Sequence, residues 1–217
     1  MALFNMNSGF WRFVNRALDV LLLNLLWLLF SLPIITIGAS TCAAFYVTMK
    51  MVDEEEGYVA RMFVKAFKEN FKQGTIMWLF TAPCIYADYL IWQLVIKSDD
   101  INFIIILGAI LYTAVIALVI LYSYPLIARY KNSLRNIVKN AFGVSMLYFK
   151  KTLLILFLVA LELAIIFWNR YTMIAGALIG PEFIIYTISG IAKRIFQKIE
   201  RNNETPGGTE NSGTINQ

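Results

Sequence analysis

Apolar stretches of bilayer length, one after another, dominate this chain. Crossing a hydrocarbon core of roughly 30 Å takes about 20 helical residues at about 1.5 Å each. Residues 75–96, 101–128, 152–168 and 171–192 fit that measure, punctuated by "KSDD", "RYKNS", "FKK" and "NR". The composition agrees: 59% of the 217 residues are hydrophobic and only 15% are charged. A soluble domain averages about 45–50% apolar and about 25% charged. The expected fold is all-α: a polytopic helical membrane protein of five to six transmembrane helices, with two amphipathic interfacial helices on the cytoplasmic side.

The first apolar run, residues 17–49, is too long for one span, since a single helix would reach about 50 Å. Its middle reads "LPIITIGAST". Pro33 resists continuing a helix and pushes Leu32 toward an extended conformation. Gly38 supplies backbone freedom, and Ser40 or Thr41 can cap a new helix. The pattern predicts a helix over 17–32, a hairpin turn over 33–39 and a return helix over 40–52, making six spans; five is the alternative. Arg12 and Arg16 followed by "ASTC" loosely resemble a leader with a cleavage box, but Thr41 suits that box poorly and no secreted domain follows.

Charge placement tests the hairpin. With six spans, all of the 19 basic residues except Lys97 and Arg170 fall on one face. Lys and Arg concentrate on the cytoplasmic side of short loops, so both termini are expected in the cytoplasm. The outer loops are then too short to form a receptor or enzyme domain.

Two segments on that inner face show helical amphipathicity. In 58–73, Val59, Met62, Phe63, Ala66, Phe67 and Phe71 share one face, and Arg61, Lys65, Lys68 and Lys72 gather opposite. Asp53 and Glu54, Glu55 and Glu56 precede it, near the positive end of its dipole. Residues 132–143 repeat the theme, with Leu134, Ile137, Val138, Ala141 and Phe142 on one side and Arg135 and Lys139 on another. Such helices rest in the interface and bind anionic lipid, or dock a protein partner through Arg61, Phe63, Lys65, Phe67, Lys68, Phe71 and Lys72. Nucleic acid is not expected there, because the basic faces lie against headgroups. The shared "VKAF" (64–67) and "VKNAF" (138–142) hint at an internal duplication of 17–97 and 101–192 within one membrane domain, 1–201. The polar tail 202–217 has the composition of a disordered segment.

Chemistry-bearing groups are few. The chain has no histidine, which removes the commonest general base and metal ligand. Cys42 and Cys84 lie in apolar runs with no metal or disulfide spacing. No phosphate-binding glycine loop, nucleophile elbow or zinc-protease motif occurs. No enzyme activity, cofactor or metal is therefore expected. Three acids, Asp88, Glu162 and Glu182, fall inside the spans, where an ionised carboxylate costs at least about 2.5 kcal/mol. They form a candidate intramembrane polar site; a structural role across helix interfaces is the plainer reading. "GALIG" (176–180) permits close helix packing, within the chain or in a homo-oligomer, and Pro181 is placed to kink the last span.

Two stretches, "NLLWLLFSLPIITIGAST" (24–41) and "EEGYVARMFVKAFKENFKQGTIMWLF" (55–80), resemble the YesL-like family of bacterial integral membrane proteins, a domain family of unknown function. The resemblance extends more weakly to about residue 195. It implies an accessory or regulatory part in carbohydrate uptake or utilisation beside sugar ABC-transporter subunits, in the bacterial cell membrane. It carries over no catalytic residue. The alternative is a small solute carrier or channel with Asp88, Glu162 and Glu182 lining its path.

Overall fold

The computed structural model describes residues 9–53, 57–97 and 103–204; Glu54, Glu55, Glu56, residues 98–102 and the tail from 205 lie outside the described residues. Every described element is helical. In chain order they are α1 (Gly9–Ser31), α2 (Ile37–Val52), α3 (Val59–Lys97), α4 (Phe103–Arg129), α5 (Leu134–Leu147), α6 (Phe149–Ile166) and α7 (Arg170–Glu204), with one 3-10 turn at Ile34–Thr36.

Pro33 does end α1. It sits in extended backbone at φ −74°, ψ 107°. The reversal is tighter than the sequence predicts, because Thr36 closes it. The Thr36 hydroxyl lies 2.6 Å from the carbonyls of Phe30 and Pro33, satisfying groups a helix end leaves free. Helix α2 therefore starts at Ile37, with Thr36 as a cap residue that makes no side-chain capping bond. Gly38 and Ser40, expected in the turn and at the cap, are buried inside α2.

Gly38 serves a different purpose from turn-making. A Cβ built on it would press on the Gly74 carbonyl of α3 and stand 2.6 Å from Trp78 Cβ. A Cβ on Gly74 would stand 2.8 Å from Ala39 Cα. The two helices thus meet backbone to backbone, which only small residues permit. The run "GASTCAA" (38–44) extends that contact. Most residues of α2 are buried, from Gly38 through Met51, whereas in α4 burial is concentrated in the end from Leu121 to Ala128. Helices α1, α3, α4 and α7 all pack on α2, so the shortest apolar helix is the axis of the molecule.

Gly74 does not divide α3. The expected interfacial helix 58–73 and the following span are one 39-residue helix, about 58 Å long. A lone glycine weakens a helix without interrupting its hydrogen-bond ladder. By contrast, the second amphipathic segment is a separate helix, α5, capped by Ser133, which accepts a bond from the Asn136 N–H.

Among the described residues, four helices are long and apolar enough to cross a membrane: Val14–Ser31, Ile34–Val52, Val59–Lys97 and Phe103–Arg129. Arg170–Gly176 and Ile179–Asn202, bent by 65°, make a fifth if taken as one broken span. Pro181 accounts for the bend, since it offers no N–H to the carbonyl four residues back. Helix α6, expected as a further span, carries Lys150, Lys151 and Glu162 in its 18 residues and is not among them. Gly176 and Gly180 of "GALIG" both pack on Ile166 of α6, so this motif closes an internal seam. The outward surface is apolar, with Leu25, Phe80, Leu94, Ile104 and Phe157 all exposed, the surface expected against lipid tails.

Gly38→Val should therefore destabilise the fold by about 1–3 kcal/mol through overpacking. Gly108→Ala, whose added Cβ meets nothing within 4 Å, should be neutral. Thermal unfolding of both variants in the same detergent checks the contrast.

Candidate functional site

Polar residues recur along one face of α7. Glu182, Ser189, Lys193 and Glu200 are spaced by seven, four and seven residues, a spacing that keeps them on one side of a helix. This face meets α2. Ser189 and Thr48 share a hydrogen bond of 2.6 Å between two fully buried hydroxyls. Lys193, 2% exposed, donates to the Met49 carbonyl and forms an ion pair with Asp53. Its ammonium is thereby held at the C-terminal end of α2, where the helix dipole favours a cation.

Farther along, Arg129 at the end of α4 grips Glu200 with two bonds. Nε donates to Oε1 at 2.9 Å and Nη2 to Oε2 at 2.7 Å. The Tyr130 hydroxyl donates to the same carboxylate. Burial, reinforced by that carboxylate, pushes the Tyr130 phenol above its ordinary range, so it stays protonated and remains a donor. These groups, with Tyr46 and Lys50, line a pocket of about 360 Å³ between the ends of α2, α4 and α7. The arrangement is a charged clamp on three helix ends.

The three acids expected as one intramembrane site are held separately. Asp88 Oδ1 accepts from Thr113 Oγ1 at 2.7 Å, and Trp92 Nε1 donates to that same Thr113 oxygen at 2.9 Å; this ties α3 to α4. Glu162 Oε1 accepts from Thr187, tying α6 to α7. Glu182 is 0% exposed, and among the described residues neither of its carboxylate oxygens has a hydrogen-bond partner. It is the group whose burial most calls for compensation.

The docking residues divide into two sets. Arg61, Lys65, Lys68 and Lys72 are all exposed on α3. Phe63 is fully buried and Phe67 half-buried, both edge-on to Phe30 of α1 at 5.4 and 4.9 Å between centroids. These two rings are internal packing, not a surface anchor; Phe71 alone of the three is exposed. Sequence reasoning missed Thr48, Ser189, Lys193, Arg129, Tyr130 and Glu200. The available signal was the polar spacing along 182–200, which counting charges by face does not register.

A chain whose described elements are all helical, with at least four membrane-length apolar helices and polar groups on its helix seams, has the architecture of a membrane-embedded protein. The family described as "Protein of unknown function, DUF624" matches residues 20–92, the stretch that holds most of α1, all of α2 and most of α3. No curated protein and no solved structure matches the chain.

Removing one partner of a buried pair leaves an unpaired charge. Lys193→Met should cost about 3 kcal/mol, the low end for such a loss, because Asp53 keeps some water. Arg129→Met, at a more exposed pair, should cost about 1 kcal/mol. Chemical denaturation in micelles measures both.

Proposed function

We propose that this chain is a non-enzymatic, YesL-like protein of the bacterial cell membrane with both termini in the cytoplasm. Its part is accessory or regulatory, exerted by docking of the basic side of α3 on an acidic surface of sugar ABC-transporter subunits. One observation carries the docking surface. Arg61, Lys65, Lys68 and Lys72 stand exposed along one side of α3, while Phe63 and Ala66 on its other side are buried. That burial fixes the rotation of the helix, so the four cations are presented as a row. Arg135 and Lys139 of α5, also exposed, add to the same charge. Orientation follows from the positive-inside bias of the basic residues. The carbohydrate context rests on the resemblance of 24–41 and 55–80 alone. Absence of histidine and of nucleophile motifs supports a non-catalytic role.

A second reading, a small solute carrier, is favoured by Glu182, because a carboxyl inside a span with no hydrogen-bond partner among the described residues marks a functional position by default.

Replacing Arg61, Lys65, Lys68 and Lys72 together by Glu should reduce co-purification of transporter subunits from host membranes about tenfold, with unfolding temperature unchanged. Recovery of no transporter chain by the unaltered protein, or equal recovery by the variant, would sink the docking reading. A tag at the amino terminus should be unreachable from outside intact cells.

A further inference from the structure

Helices α1 and α7 pack on one another and leave between them a groove of about 520 Å³, separate from the clamp of Arg129 and Glu200. Val20 and Leu21 line it from α1, and Ile179 and Phe183 from α7. Leu21 and Phe183 are exposed, so the groove opens on the outward surface of the bundle, where lipid tails are expected. Its walls also include Arg16 and Tyr186. Arg16 carries the one charge among the described lining residues, and a guanidinium keeps that charge at any ordinary pH.

Polarity changes along the groove. Arg16 donates to the Met51 carbonyl at 2.9 Å and Lys193 to the Met49 carbonyl, so residue 16 of α1 and residue 193 of α7 lie at the same end of α2. Counted from that end, Arg16 comes before Val20 and Leu21, and Tyr186 before Phe183 and Ile179. Arg16 and Tyr186 therefore stand toward one end, and purely apolar walls run on from them. Arg16 is also the third residue of the membrane-length stretch Val14–Ser31, a depth from which a basic side chain reaches the headgroups. A groove of this kind matches an anionic amphiphile. Guanidinium forks fit phosphate oxygens, and apolar walls accept a hydrocarbon chain. Free phosphate would leave the walls uncovered, and a lipid of no net charge would balance less of the charge on Arg16.

We propose that this groove binds an anionic phospholipid, with its phosphate on Arg16 and Tyr186 and one acyl chain along Val20, Leu21, Phe183 and Ile179. The site is independent of the docking surface on α3. A lipid seated there bridges α1 and α7, so the packing of the first helix follows the charge of the surrounding bilayer. The test places the full chain in nanodiscs of equal parts phosphatidylglycerol and phosphatidylcholine, then counts retained lipids by native mass spectrometry after transfer to detergent. One phosphatidylglycerol should stay bound in preference to phosphatidylcholine. Arg16→Gln should weaken its retention about fivefold, the effect of one cation at a lipid surface. Arg16→Lys, which keeps the charge, should retain most of it, separating lost charge from misfolding. Ala17→Phe, which narrows the groove, should lower retention of both lipids in a protein that remains monodisperse. Replacing Arg61, Lys65, Lys68 and Lys72 together by Glu should leave retention unchanged. Equal retention of the two lipids by the unaltered chain, undiminished retention by Arg16→Gln, an equal loss from the α3 variant, or release of the lipid by glycerol 3-phosphate alone would overturn the proposal.

Discussion

The contact of Gly38 with Gly74 sets the distance between α2 and α3, and the rest of the bundle is built around that distance. Apolar helices in lipid gain little from hiding greasy surface from one another. Their association depends on how closely backbones approach and on how many van der Waals contacts follow. Two glycines at one crossing point, continued by Ala39, Ala43 and Ala44 along α2, let α2 sink against α3 until both are in backbone contact. Once seated there, α2 presents its remaining sides to α1, α4 and α7.

Polar groups finish what small residues begin. Hydrogen bonds between membrane helices contribute modestly, about 0.6 kcal/mol on average, but their geometry is selective. Thr48 with Ser189 sets the register of α2 against α7; Thr81 with Tyr124 and Thr113 with Asp88 do the same for α3 and α4. At one end of the bundle the bonds become ionic, through Lys193 with Asp53 and Arg129 with Glu200. The molecule is therefore apolar outside and polar along its seams, the reverse of a soluble domain.

Much of this was legible in the residues. Apolar runs of measurable length located α4 and the apolar half of α3, and Pro33 located the reversal after α1. Alternation of Phe and Lys gave the correct face of α3, because helical periodicity depends only on spacing. What escaped depends on contacts between distant segments. Gly38 reads locally as a flexible turn residue; its actual role exists only because Gly74, on another helix, is also bare. Ser40 reads as a cap, but Thr36 reaches the free carbonyls first. Lys193 and Arg129 read as loop charges until Asp53 and Glu200 are brought beside them by the fold. Asp88, Glu162 and Glu182 were found by their cost in the membrane, whereas their partners Thr113 and Thr187 carry no charge to draw attention.

Helix α3, about 58 Å long, exceeds the roughly 30 Å thickness of a bilayer core. Its 39 residues form one rod with the cationic row before Gly74 and Asp88 beyond it. Pro83 takes one backbone bond out of α3 between Gly74 and Asp88, so the arm that carries Asp88 can bend there without the basic row having to follow it.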